Sequence, residues 1–325
     1  MPAFVDLQVN GFLGVDFASP SLSLEEIGKV CLALARRGTG GFLATVITSP
    51  GETYEHVLPL LVQAIKHPPP GARILGIHLE GPFISAAEGA IGAHPPHCVQ
   101  APSLESLDRL ISLAEGHLRL LTVAPELPNV RALIRHAVAA GVTVSIGHTL
   151  ATAADIARAE SAGATLITHL GNGCPILMHR HNNPLVAQLV SGLIPMIITD
   201  GCHLPPEFIR LVERVHGRDH IIVTSDAAPV AGCPPGEYNV FGNHAVLDQS
   251  GVIHCSRDPR VLAGSSASML ECMNTLAALG WTETQLRQAG HDTPLAAIGL
   301  DDDLPHDIDT IWDDTRFSVN NAGSL

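Results

Sequence analysis

Residues Ile74 to Phe83 read I-L-G-I-H-L-E-G-P-F. Ile74, Leu75, Ile77 and Leu79 form the short apolar run of a buried β-strand. Side chains alternate along a strand, so His78 and Glu80 share one face at its C-terminal end. Gly81-Pro82 then stops the strand. A carboxylate leaving a buried strand is costly unless it is paired or bound to a metal. Three later strands end in the same way: S-I-G-H-T at Ser145–Thr149, I-T-H-L-G-N at Ile167–Asn172, and V-T-S-D-A at Val223–Ala227.

Outward from this stretch the chain alternates strand and helix. Strands are predicted at 3–10, 42–48, 73–80, 118–124, 142–147, 165–170, 194–199 and 221–224. Helices are predicted at 24–37, 52–66, 104–115, 129–140, 153–162, 185–190, 206–215 and 268–279, with a further one at 283–289. Ser23 with Glu26, and Thr152 with Asp155, stand at capping-box spacing. Eight such alternations predict a parallel (β/α)₈ barrel of the TIM type, the fold class being α/β. A doubly wound open sheet is the alternative. It would not gather the polar ends of strands three, five, six and eight around one site, whereas all strand C-termini of a barrel face one mouth. The barrel is expected to span residues 1–300, with an inserted hairpin region at about 229–260. Residues 301–325 read as a short acidic tail with at most a strand pair. The long Gly- and Pro-rich loop 81–102 has the length of a functional loop.

The 325 residues are 46% hydrophobic and 15% charged, so the chain buries a large core. A formal charge of −14 leaves no basic footprint for nucleic acid. No apolar run has the length of a membrane span. The N-terminus M-P-A-F-V-D-L-Q has no signal-peptide pattern, which predicts a cytoplasmic protein. The seven cysteines are scattered with no C-x-x-C, and reduced thiols are the expectation.

Glu80, His148 and His169 each stand at a predicted strand end. One carboxylate and two imidazoles are a common three-ligand set for catalytic zinc or a related divalent ion, with a position open for water. Taken singly, each is more simply a hydrogen-bonded rim residue; together, with Asp226 on strand eight, they point to a metal. Asp226 is placed to take a proton from water and return it to a leaving group. A further ligand or a helix cap are its other readings.

The segments V-D-L-Q-V-N-G, H-L-E-G-P, G-A-H, G-H-T, T-H-L-x-N, D-G-x-H, T-S-D-A and L-A-G-S occur in this order between Val5 and Gly299. As an ordered set they resemble the amidohydrolase superfamily, and within it the N-acetylglucosamine-6-phosphate deacetylase family. The resemblance implies metal-dependent hydrolysis of the N-acetyl amide of an amino sugar, with release of acetate. It implies Glu80, His148 and His169 as ligands of one divalent ion, zinc first, with iron, cobalt and manganese as alternatives. It implies Asp226 as general acid/base and His94 as the residue that polarises the amide carbonyl. Asn172, Gly173 and His203 match substrate-contacting positions, and a homodimer is the implied assembly. Strand one carries Gln8 and Asn10 where many amidohydrolases have H-x-H, which argues against a second tightly held ion. His78 matches no usual ligand and is expected behind the site. The family's phosphate-binding arginine lies in an R-E-P-G context. Here the text is H-R-H-N-N-P, so Arg180 or His181 is the candidate and phosphate dependence is expected to be weaker. Little of the family's small β-sandwich is expected in this chain. Another small N-acyl or cyclic amide as substrate, or a non-catalytic binding protein on the same barrel, are the competing readings.

Overall fold

The computed structural model describes residues 2–256, 258–301, 304, 308 and 310–319. Eight parallel strands follow one another around a nearly closed barrel. They are β1 Phe4–Val9, β2 Thr39–Ile47, β3 Arg73–Glu80, β4 Leu118–Val123, β5 Thr143–Ile146, β6 Leu166–Ile167, β7 Ile194–Ile198 and β8 Ile222–Thr224. The seam between β8 and β1 is joined by a parallel bridge from Val9 to Ala227, and Asn10 N donates to Ala227 O at 2.9 Å.

Two apolar layers hold the barrel. Outside it, the strand faces pack on helices α1 Leu24–Ala35, α2 Gly51–Lys66, α3 Leu104–Leu113, α4 Val130–Ala139, α5 Ala153–Glu160, α6 Pro184–Leu189, α7 Pro206–His216 and α8 Met269–Ala278. Ser23 with Glu26 and Thr152 with Asp155 form the capping boxes that start α1 and α5. Inside the barrel, Val5, Leu7, Leu43, Leu120, Leu166, Met196 and Ile222 make a second cluster. The strand-end carboxylate and imidazoles stand at the opposite, C-terminal end of the strands. One end of the barrel is therefore a packed floor and the other a polar mouth.

After β8 the chain forms a four-stranded antiparallel sheet: β9 Gly236–Val240, β10 Asn243–Leu247, β11 Ile253–Cys255 and β12 Asp258–Leu262. The sequence suggested a hairpin here. The last strand was hidden because Asp258, Pro259 and Arg260 do not read as a strand; a proline is tolerated there because β12 is an edge. Val240, Ala245, Leu247 and Ile253 of this sheet pack on Ala93, Ala228, Val230 and Ala263. Asn243 Nδ2 also donates to Ala93 O at 3.0 Å, so the insert braces the loop that carries His94.

Towards the C-terminus, β13 Thr310–Trp312 pairs with β14 Phe317–Val319, the strand pair expected of the tail. Phe317 packs edge-on against Phe4 with ring centres 5.2 Å apart. The rest of that expected tail, at 302, 303, 305–307, 309 and 320–325, lies outside the described residues. Among the described residues no helix is long and apolar enough to cross a membrane.

Candidate active site

Glu80 ends β3, while His148, His169 and Asp226 lie just beyond β5, β6 and β8. The last three share an unusual backbone: φ is 49° at His148, 31° at His169 and 51° at Asp226. Non-glycine residues avoid this region, and such strain gathers at functional sites. The surrounding bonds hold these turns in place. Ser225 N and Thr224 Oγ1 donate to the buried Asp6 Oδ1 at 3.2 and 2.7 Å, and the Ser225 hydroxyl donates to Asp6 Oδ2. The Thr149 hydroxyl donates to Glu126, and Leu150 N reaches Glu126 Oε1 at 2.7 Å.

The structure brings Glu80, His148 and His169 together. Glu80 Oε1 lies 3.1 Å from His148 Nε2 and 2.9 Å from His169 Nε2, and the two Nε2 atoms are 3.1 Å apart. His148 Nδ1 lies 2.7 Å from the carbonyl of Ala90, which can only accept, so Nδ1 carries the proton. In the neutral ring, His148 Nε2 is then a lone pair aimed at a carboxylate oxygen. Two lone pairs at 3.1 Å call for a cation between them. Ligand distances of about 2.0–2.2 Å place tetrahedral donors about 3.3–3.6 Å apart. The three atoms are already close to that spacing, so the donor set fits a divalent ion.

The charge state of His148 agrees with this. Burial, then nearby His94, pushes His148 down to about 4, keeping it neutral at ordinary pH. Burial alone would raise Glu80, but the surrounding imidazoles of His148, His169 and His94 hold it well below the usual carboxylate range. Burial likewise opposes charge on His169, yet its bond to Glu80 and that carboxylate's charge leave it raised.

Asp226 is pushed up to about 7, first by burial and then by the negative charge of Glu80. Its Oδ1 accepts from Asn10 Nδ2 at 2.8 Å, and Gln8 Nε2 donates to Glu80 Oε1 at 2.9 Å. Strand one therefore directs amide N–H groups at both carboxylates. The amide oxygens Gln8 Oε1 and Asn10 Oδ1 are left buried without a partner among the described residues. His94 is buried with Nε2 3.6 Å from Glu80 Oε2, its ring 4.3 Å from that of His148. Its Nδ1 has no partner among the described residues.

These residues open into a cavity of about 290 Å³, which Asn172, Gly173 and His203 also line. Gly173 has φ +60°, and a Cβ there would stand 3.1 Å from His169 Cε1 and 3.2 Å from His148 N. Its glycine is thus set by the packing of both imidazoles. Arg180 is exposed on the loop after β6 and does not line the cavity.

Two features were not read from the sequence. Asp200 Oδ2 accepts from His203 Nδ1 at 2.7 Å and from Ser265 Oγ at 2.8 Å, which orients the His203 ring. The D-G-x-H spacing signals the first bond, but Ser265 meets Asp200 only through the fold. Arg260 of the inserted sheet also reaches the cavity wall.

No protein-family model matches the chain. Among individual proteins, the bovine N-acetylglucosamine-6-phosphate deacetylase is 34% identical over an alignment of 315 residues that covers 92% of this chain and 74% of that enzyme. The N-acetylgalactosamine-6-phosphate deacetylase of Escherichia coli O157:H7 is 30% identical over 302 residues, covering 92% and 78%. Among solved structures, the D267A mutant of the Mycobacterium smegmatis N-acetyl-D-glucosamine-6-phosphate deacetylase, in complex with N-acetyl-D-glucosamine-6-phosphate, superposes with a TM-score of 0.84. It is 27% identical and is matched over 92% of this chain and 77% of its own.

Proposed function

The chain belongs to the N-acetylglucosamine-6-phosphate deacetylase family, whose members are amidohydrolases, and from that membership we propose that it removes the acetyl group from an N-acetylhexosamine 6-phosphate. The observation that carries this reading is the meeting of Glu80, His148, His169 and Asp226 at one barrel mouth, with the ligand atoms of Glu80, His148 and His169 within 2.9–3.1 Å of one another. Glu80, His148 and His169 would hold one divalent ion, and we assign zinc on the strength of a carboxylate–imidazole set. When bound, that ion supplies Lewis acidity to the amide carbonyl and makes a nearby water more acidic.

The rest of the chemistry falls to side chains. Asp226, raised by burial and by the charge of Glu80, is the carboxylate that accepts a proton from the attacking water. The water oxygen bonds to the carbonyl carbon while His94 donates a hydrogen bond to the carbonyl oxygen. The C–N bond then breaks, and Asp226 returns its proton to the sugar nitrogen, which is too basic to depart as an anion. Asn10 keeps Asp226 facing the site. His203, held through Nδ1 by Asp200, presents Nε2 to the sugar, and Asn172 and Gly173 line the same wall. The products are acetate and the free amino sugar phosphate.

The supporting experiment is acetate release by metal-loaded protein from N-acetylglucosamine and N-acetylgalactosamine 6-phosphates, alongside N-acyl amino acids and cyclic amides. Acetate from a hexosamine phosphate is expected. Turnover confined to the other amides would replace this reading with the broader amidohydrolase one. A homodimer is part of the proposal through the family resemblance, and sedimentation of the purified protein tests it.

A further inference from the structure

Asp6 stands on β1 with its carboxylate buried, which is costly for such a group unless partners meet it. Gln8 N, Ser225 N and Thr224 Oγ1 converge on its Oδ1 at 3.2, 3.2 and 2.7 Å, and the Ser225 hydroxyl donates to Oδ2. Burial pushes the Asp6 pKa up, and these bonds oppose that push. The two backbone N–H groups can only donate, so Asp6 serves here as an acceptor. Gln8, Thr224 and Ser225 do not line the cavity, and Asp6 does not reach it either.

What these bonds enclose is Asp226. On one side of it, Ser225 N is held by Asp6. On the other, Ala227 N donates at 3.1 Å to Ser225 Oγ, the same hydroxyl that donates to Asp6. Asn10 N donates to Ala227 O at 2.9 Å. Both neighbours of Asp226 are therefore tied to β1, and the residue between them is kept at φ 51°. That backbone is disfavoured for a side chain and has to be imposed by its surroundings. Asp6 also accepts from Gln8 N, two residues before Asn10, whose side chain donates to Asp226 Oδ1. One carboxylate thus fixes the strand that carries the donor and the turn that carries the acceptor.

We propose that Asp6 is a positioning residue for the proton transfer, clamping the turn at the β8–β1 seam so that the Asp226 carboxylate keeps its place in the site. It acts through Asp226 and touches none of the three metal-ligand candidates. The proposal rests on the deacetylase reading and goes beyond it, since such a clamp would serve any amide that Asp226 helps to hydrolyse.

The test uses two variants that loosen the clamp from opposite sides. Asp6→Asn keeps the size, but in either orientation its NH₂ meets a donor: the Ser225 hydroxyl on one edge, the two backbone N–H groups on the other. Ser225→Ala removes the link to Ala227 N. Acetate release from N-acetylglucosamine 6-phosphate is measured below the melting transition of each variant, with metal content by elemental analysis. Both variants are expected to hold metal as the wild type does and to keep KM within about threefold. Their kcat should fall about 10- to 100-fold, the loss for a catalytic group displaced by about 1 Å. In an Asp226→Asn background, Asp6→Asn should lower kcat no further, because its effect passes through the group already removed. A crystal structure of Asp6→Asn needs no turnover, and in it the contact between Asn10 and Asp226 should be lengthened or broken. An unchanged kcat, a loss that adds to that of Asp226→Asn, loss of the metal, or an Asp226 carboxylate that has not moved would overturn the proposal. Wild-type protein inactive on hexosamine phosphates would instead sink the deacetylase reading, and the place of Asp226 in Asp6→Asn would still decide for or against the clamp.

Discussion

Replacing His78 by leucine gives a stability change whose sign and size depend on pH. His78 lies inside the barrel, fully buried two residues before Glu80. Its Nδ1 is 3.2 Å from Thr45 Oγ1 and its Nε2 is 2.8 Å from Thr122 Oγ1. The chain of contacts continues from Thr122 to Thr168 at 2.7 Å and from Thr168 to Ser145 at 2.6 Å. Leucine fills much of the same space but makes neither bond. Both threonines keep another partner, since Val9 N donates to Thr45 Oγ1 and Thr122 retains Thr168. Losing two neutral hydrogen bonds costs about 1–3 kcal/mol.

Acid changes that balance. Burial pushes the His78 pKa down from 6.5 to about 4, so the folded ring stays neutral where the unfolded one is charged. The unfolded state then binds more protons between those values. The stability due to neutral His78 is complete above about 6.5 and is lost as pH falls towards 4. At about 1.4 kcal/mol per unit, wild-type protein loses about 2 kcal/mol through this group between pH 8 and pH 5. Leucine carries no such loss. In urea denaturation of metal-free protein, which removes stabilisation by a bound ion, His78→Leu should be the less stable by about 1–3 kcal/mol at pH 8. The gap should shrink by about 2 kcal/mol at pH 5. A gap that stays constant, or widens in acid, would refute the reasoning.

Further outcomes follow from the site. Elemental analysis should find about one divalent ion per chain, lost in Glu80→Ala; two tightly held ions would contradict the reading of Gln8 and Asn10 as donors. Gly173→Ala should weaken metal binding about tenfold or more, because its Cβ would press on His169 and on the His148 backbone at a strained φ; unchanged affinity in a chelator competition would show that the imidazoles have room. Asp200→Ala should raise KM for the sugar more than it lowers kcat, since it frees the ring of His203 while leaving Asp226 and Glu80 in place; equal damage to a variant lacking His203 and to the double variant would support the same coupling, whereas additive losses would argue against it.

Much of the architecture was legible because the strands are apolar runs that end abruptly in polar residues. That pattern located β3, β5 and β8 and gathered Glu80, His148, His169 and Asp226 before any coordinates. β6 was read as 165–170, but only Leu166–Ile167 pair as a strand. The chain leaves the ladder early to place His169 at φ 31°, a backbone state with no signature in residue type. The short helix Thr293–Ala297 escaped because it is continuous with a wide turn after Glu283–Arg287 rather than separated by a loop. Pairings across long sequence distances were also invisible. Asn10 with Asp226, Ser265 with Asp200, and Arg260 in the same cavity lining as His94 are set by barrel closure and the inserted sheet. No local pattern in the chain encodes them.

The most direct test of the account is acetate release by Asp226→Asn, measured on protein shown to hold its metal. Asparagine keeps the shape and can still bond to Asn10, but it cannot carry a proton at neutral pH. The expected result is a metal content equal to wild type, an intact fold, and a kcat on N-acetylhexosamine 6-phosphate lower by about 10²–10⁴. Near wild-type acetate release with the metal in place would contradict the assignment of the proton to Asp226, and loss of the metal would show that Asp226 is a ligand first.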